Sequence, residues 1–342
     1  MKAVILGGGI AGVFTAHFLK ERGFEVVGIG GEVTYPLASL VLTTSMPFRE
    51  DVELARRSLE IYRRFAEPRE VVSVDILPRW VDLSNISHIP HEVVDRVDGV
   101  RLSPDEIAVI TKDYLIPVRA IVSSLRKALK FSNSYGFLKA DGRRVYVIAD
   151  GRRIEGDVIV LAAGYRNSII AREAGIELPL APYECYAVAF IVGRKVWRYS
   201  IGDYVLGWYG RPTMPPIYIA GNGCGKYGEG SPPNYTKRMA NLISQRIGTA
   251  IPLFLKVGYC EVGPHGGPLY GKHPLFDNLY ILGGFNGYGS TVGPALAERL
   301  ADLLEGRGID DEFRIERAPK AQFDPCQVAE RHDWGAVLLR NT

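Results

Sequence analysis

Lys2-Ala3-Val4-Ile5-Leu6-Gly7-Gly8-Gly9-Ile10-Ala11-Gly12 decides the fold. A short apolar run, a glycine cluster and then apolar residues at helical spacing through Arg22 read as strand, tight turn and helix. The spacing Gly7-x-Gly9-x-x-Gly12 suits a dinucleotide pyrophosphate at a helix N-terminus. Gly7 permits the turn, Gly9 lets the phosphates approach the backbone, and Gly12 lets helix and strand pack closely. Ile10 and Ala11 open the same helix and belong to the same site. Gly23 ends the helix, and Glu25–Ile29 is a second short apolar run. An acid that binds a ribose hydroxyl is expected at the end of that second strand. Gly30 stands there, with Gly31 next and Glu32 two residues late. Glu32 either reaches a ribose around a reshaped turn or is a solvated loop charge.

Two later segments match this opening. Asp157–Gly164 is a buried-strand run ending in Ala162, Ala163 and Gly164, small enough for a second backbone to pass the same pyrophosphate. Gly283–Thr291 is a glycine loop leading through Pro294 into a helix expected over Gly293–Leu304. Such a loop turns the positive end of a helix dipole toward an anion or a polarised oxygen. Helical spacing also marks Asp51–Phe65, Val118–Leu129 and Tyr235–Arg246. Val71–Val109 alternates like an antiparallel sheet, and residues 182–262 are strand-like and rich in Tyr, Gly and Pro.

The bulk properties narrow the class. The chain has 342 residues, 47% hydrophobic and 23% charged, which fits two intertwined domains of a globular protein. A net charge of +3 with interspersed signs leaves no footprint for nucleic acid. No apolar run nears the roughly 20 residues of a bilayer span, and no signal-peptide pattern is present, so a cytoplasmic location is expected. Cys185, Cys224, Cys260 and Cys326 are widely separated without a CxxC pair. They are expected to be ordinary reduced cysteines, with no metal site and no disulfide framework.

The three segments, in this order and spacing, resemble the D-amino acid oxidase family of FAD-dependent oxidoreductases. The resemblance runs from Met1 to about Arg317 and takes in Tyr209-Gly210-Arg211-Pro212 and Asp277-Asn278-Leu279-Tyr280. It implies an α/β fold, a Rossmann-type FAD-binding domain with an inserted antiparallel-sheet substrate domain. Residues 1–70, 118–180 and 265–318 would form the first and 71–117 and 181–264 the second; in the tail 319–342, beyond the resemblance, Phe323, Trp334 and Val337–Leu339 suggest docking on the body or on a partner. It further implies FAD, with Gly7, Gly9, Gly12, Ala163 and Gly164 at the diphosphate. Ser39, Thr43 and Thr44 would lie along the ribityl chain and flavin edge, and the backbone of Leu138 would hold adenine. Gly284, Phe285, Asn286, Gly287, Gly289, Ser290 and Thr291 would lie at the edge of the isoalloxazine that gains negative charge on reduction.

The sequence departs from the family in one respect that bears on substrate. Counted back without gaps from Pro268, the family's carboxylate-binding arginine falls on Cys260 and a loop aspartate on His265. A thiol cannot replace a bidentate guanidinium. Arg211 and Lys272 are the candidate replacements, each with a plain reading as a loop or surface charge. Tyr209, Tyr259 and Tyr288 either line the pocket or belong to the core, and His265 and His273 either carry protons or hold a loop. The expected activity is oxidation of the C–N bond of an amine, amino or imino acid by hydride transfer to flavin N5. Two alternatives stand beside it: a flavoprotein subunit of an electron-transfer complex, and an oxidoreductase of the same fold acting on a non-amine substrate. The expected partner is a small-molecule substrate, with a homo-oligomer or an electron-accepting partner left open.

Overall fold

A computed structural model of the chain describes residues 1–31, 39–41, 46–318 and 323–328. The opening segment folds as its pattern dictates: β1 (Lys2–Leu6), α1 (Ile10–Glu21) and β2 (Glu25–Ile29). Two later strands complete the parallel core, β10 (Val158–Leu161) and β17 (Leu279–Gly283), and β16 (Leu269–Lys272) adds an antiparallel edge. The order is β16-β17-β10-β1-β2. Three chain segments distant in sequence thus end side by side at the carboxyl edge of one sheet, where open α/β sheets bind ligands.

The second sheet has nine strands: β3 (Ser39–Val41), β4 (Arg69–Pro78), β5 (Glu92–Val94), β6 (Glu106–Ile116), β11 (Ala181–Val192), β12 (Tyr199–Asp203), β13 (Trp208–Pro212), β14 (Ile217–Lys226) and β15 (Ala250–Val262). Its ladders are antiparallel except β12 against β4, which run parallel. A meander of β7 (Gly136–Asp141), β8 (Arg144–Ala149) and β9 (Arg152–Ile154) forms a third sheet. The architecture is therefore the expected α/β one, a Rossmann-type sheet joined to a largely antiparallel sheet. No helix among the described residues is long and apolar enough to cross a membrane.

Four helices close the parallel sheet on one side: α1, α2 (Arg49–Arg63), α3 (Val118–Ala128) and α6 (Gly289–Leu304). Phe14 and Tyr62 meet edge-to-face there at 5.7 Å. On the second sheet, α5 (Tyr235–Ile247) buries Met239 and Ile243 against Tyr186, Val188 and Phe190. One short helix, α4 (Asn167–Glu173), follows the Ala163-Gly164 turn and was not legible in the pattern.

Cys224 and Cys326 form a disulfide that ties the segment at 323–328 to β14. This overturns the expectation of four reduced cysteines. Distance in sequence gave no measure of distance in space: 102 residues apart, the two Cα atoms lie 5.4 Å from each other. The sulfurs of Cys185 and Cys260 approach to 3.2 Å without a bond. No metal-holding cluster occurs among the described residues.

Candidate active site

The glycine loop after β1 is built around close backbone approaches. Gly7 has φ +136°, and a Cβ there would lie 2.1 Å from the Ala162 carbonyl oxygen. A Cβ on Gly12 would lie 2.0 Å from the Gly7 carbonyl oxygen, so α1 can sit this near the loop only with glycine. Gly9 is the N-cap of α1 and has no side chain to occupy that end. Ile10 and Ala11, both buried, begin the helix beside it. Opposite, the Ala162 N–H bonds to the Leu6 carbonyl, the Ala163 N–H to Asn167 Oδ1, and Gly164 turns with φ +61°. A backbone cradle at a helix N-terminus, crowded from both sides, fits a pyrophosphate.

Sequence reasoning missed the cation that braces this loop. Arg126, buried on α3, donates from Nη1 to the Gly8 carbonyl at 3.0 Å and from Nη2 to the Gly30 carbonyl at 2.8 Å. It clamps the turn after β1 to the end of β2, the position where a ribose-binding acid was expected. Its signal was faint: an arginine continuing the apolar stripe Val118, Val122. Leu138 is buried in β7, which abuts the tip of β1, since a Cβ on Gly136 would lie 2.4 Å from Leu6 Cδ1. Glu32, Thr43, Thr44 and the side chain of Ser39 fall outside the described residues; the backbone of Ser39 belongs to β3.

The second glycine loop packs across the carboxyl end of β17. Gly284, Asn286 and Gly287 all have positive φ. Asn286 is buried, donates to the Gly266 carbonyl at 3.0 Å and accepts from Tyr183 Oη at 2.7 Å. Phe285 packs against the core beneath Gly289. A second missed residue, Glu261 on β15, locks this loop to α4. Its carboxyl accepts from Asn167 Nδ2 (2.9 Å), the Gly284 N–H (3.2 Å) and the Ser168 N–H (3.3 Å). Burial pushes that carboxyl from 4.5 up to about 8, outweighing those hydrogen bonds.

Helix α6 starts one turn earlier than its sequence pattern, so Pro294 lies inside it. The carbonyl that Pro294 cannot serve, on Ser290, accepts instead from Tyr62 Oη at 2.7 Å. The helix N-terminus is thereby carried forward to Gly289, and Gly287, Tyr288, Ser290 and Thr291 line a cavity of about 440 Å³ against the nine-stranded sheet.

The sheet side of this cavity presents Ser73, Asp75, Ser200, Tyr209 and Arg211, with Gly202 and Gly221 leaving room between them. Arg211 is the candidate that the structure brings to the site. Its Nη1 is buried and, among the described residues, has no hydrogen-bond partner. Burial lowers its guanidinium to about 10, opposed by nearby Tyr218.

Lys272 is a correction. Leu269 pairs with Gly283 near the loop, but Lys272 pairs with Tyr280 at the opposite end of β17. There it assists Arg143, whose hydrogen bond is the main cause, in lowering the carboxyl of Asp277. Tyr288 lines the cavity, yet its hydroxyl turns to Asp51 Oδ1 at 3.3 Å in the core, so its phenol is not presented to a substrate. Tyr259 stacks on Tyr165 at 4.9 Å, outside the cavity lining. His265 is exposed, and His273 is a loop histidine whose Nδ1 accepts from the Leu275 N–H. Cys260 also stays outside the cavity lining, so no residue at that position replaces an arginine.

Comparison with known proteins yields one family, described as DAO: FAD dependent oxidoreductase, which matches residues 119–303, more than half of the chain. Glycine oxidase of Pseudomonas aeruginosa is 24% identical over 372 aligned positions, covering 94% of this chain and 98% of its own. The crystal structure of L-proline dehydrogenase from P. horikoshii superposes with a TM-score of 0.78 at 19% identity, covering 92% of this chain and 95% of that one. Iminodiacetate oxidase from Chelativorans sp. gives 0.73 at 18% identity, covering 90% and 96%.

Proposed function

The chain belongs to this family of FAD-dependent oxidoreductases, and from that membership we propose that it oxidises the C–N bond of an amino or imino acid bearing a free carboxylate. FAD is its cofactor, and when bound it supplies the two-electron acceptor through flavin N5. The glycine cradle at Gly7–Gly12 and Ala162–Gly164 is the part of this chain that would hold the diphosphate.

One observation carries the substrate reading: Arg211, whose buried Nη1 has no hydrogen-bond partner among the described residues, lines the cavity that faces the Gly287–Thr291 loop. A buried guanidinium that loses water without gaining an acceptor is costly, and a ligand carboxylate removes that cost. Arg211 then fixes one end of the substrate, the small residues of β12–β14 admit its body, and the Gly287–Thr291 loop faces it from the other wall. Orientation and exclusion of water are the protein's contributions. The relatives named for glycine, L-proline and iminodiacetate share the feature this requires, a carboxylate next to an amine.

The test is anaerobic mixing of the flavin-loaded protein with amino acids, imino acids and the matching amines, following flavin bleaching. A bidentate charged contact contributes roughly 1.5–3 kcal/mol, so Arg211→Met should weaken the amino acid by about ten- to a hundredfold and spare the amine. Equal losses on both would assign Arg211 to structure. Bleaching by none of them would favour an electron-transfer subunit or a non-amine substrate.

A further inference from the structure

We propose that Asp75 is the amine-recognising residue of this site, making the cavity a receptor for zwitterions with Arg211 at its other pole. The inference rests on the substrate reading above and adds what selects nitrogen over oxygen. Asp75 is 4% exposed and lines the same cavity as Arg211. The sheet registers place the two on one face: Asp75 lies opposite Gly202, Gly202 opposite Tyr209, and Arg211 two residues beyond Tyr209 on β13. Two strand spacings and a two-residue offset put their backbones about 12 Å apart. The long arginine and the short aspartate narrow that gap from both sides, to the scale of a small amino acid.

Gly202 sets the direction of the aspartate. A Cβ at Gly202 would lie 2.5 Å from Asp75 Oδ1, so the carboxylate leans across β12, over the strand that separates it from Arg211. Of the other polar residues on the sheet side, Ser73, Ser200, Tyr204, Tyr209 and Asn222 are neutral and can both donate and accept, which gives them no preference for an amine, and Asp203 is held by Arg246. An ionised carboxylate only accepts. Whether the substrate nitrogen is protonated or neutral, it presents an N–H to that acceptor, and an ether or a carbon in its place does not. A site whose polar groups are left unmatched discriminates strongly against the analogue lacking the donor.

The experiment uses the flavin-loaded protein and calorimetric titration under anaerobic conditions. The probes are proline and sarcosine, each beside its ether analogue, which has no donor in place of the N–H: tetrahydrofuran-2-carboxylate and methoxyacetate. The wild type should prefer the nitrogen member. Asp75→Asn, nearly isosteric, should weaken that member by about ten- to a hundredfold and leave the oxygen analogue within about threefold, whereas Arg211→Met weakens both. Gly202→Ala is the second variant, because it displaces the carboxylate without removing its charge, and it should reproduce the same selectivity loss. Equal losses for both members of a pair, or no loss, in Asp75→Asn and Gly202→Ala would overturn the assignment of Asp75 while leaving the oxidation of amines standing. Absence of binding and of bleaching with every nitrogen compound would overturn the substrate reading itself, and this inference with it.

Discussion

At the residue scale the site is organised by ionisable groups that have left water. Glu261 is the clearest, a carboxyl sealed between β15, α4 and the Gly284 turn. Its folded value of about 8 lies above its ordinary 4.5, so the folded state holds the proton more tightly than the unfolded chain does. The stability this contributes is complete below about pH 4.5 and is lost as pH rises through about 8. Denaturant unfolding at a series of pH values should show the wild type weakening across that window, with Glu261→Gln following a flatter course. Parallel courses would mean that another group titrates. Arg246 illustrates the opposite case, a buried cation matched on two sides by Glu106 and Asp203 at 2.6 Å, where Asp203 also caps the Val205–Leu206 turn of the cavity wall. None of these roles was legible in the sequence. A glutamate within a strand, or an arginine on an apolar stripe, carries no mark of its partners until three distant segments meet. The glycines were legible because they form one short motif: Gly12 is dictated by a backbone approach within its own turn and Gly7 by its positive φ there, although the Ala162 backbone that crowds Gly7 comes from a distant segment. Arg211 was singled out by its place in a family-like segment, whereas Asp75, in a merely alternating strand, was not.

At the element scale the same distinction separates local from tertiary causes. β1, α1 and β2 follow their patterns almost residue for residue, since each is an unbroken run of one period bounded by glycine. The alternating stretch Val71–Val109, broken by Pro, Asn and Asp, folds into antiparallel strands of one sheet, as its pattern reads. There β4, the short β5 and the start of β6 pair, and the residues between them are mostly irregular. Helix α4, seven residues long, is too short for a period to register. Helix α6 is the instructive departure. Proline suits a first turn, so the pattern alone starts the helix at Gly293, but Tyr62 on α2 supplies the hydrogen bond that Pro294 denies to Ser290. Removing that hydroxyl should therefore act on the cavity wall through the helix. Tyr62→Phe should cost about 1 kcal/mol of unfolding free energy and lower flavin occupancy. Adding Pro294→Ala, which returns an N–H to the same carbonyl, should recover much of both. A double variant no better than Tyr62→Phe would show that the phenol matters for packing rather than for its bond.

On the scale of the whole molecule, the two sheets meet across one cavity, and the chain passes between them repeatedly. β1 and β2 belong to the parallel sheet, β3 to β6 to the nine-stranded one, β10 returns to the first, β11 to β15 extend the second, and β16 and β17 close the first again. The site is therefore assembled only when distant segments dock, and the last described stretch is held to this body by covalent means. Cys326 bonds to Cys224, one residue beyond Gly223, which lines the cavity. A cross-link over 102 residues restricts the unfolded chain far more than the folded one. By loop-closure entropy it contributes on the order of 4 kcal/mol. Under denaturing, non-reducing conditions, alkylation should modify Cys185 and Cys260 alone, and all four cysteines after reduction. Cys224→Ser should lower the melting temperature by roughly 5–10 °C, a shift that reductant reproduces in the wild type and does not add to in the variant. Flavin occupancy at 25 °C should stay near the wild-type value, because the cradle at Gly7–Gly12 lies on the other sheet. Four alkylated cysteines without reduction, or a melting temperature indifferent to reductant, would remove the tether. A loss of flavin in parallel with stability would instead make the tail part of the cofactor site.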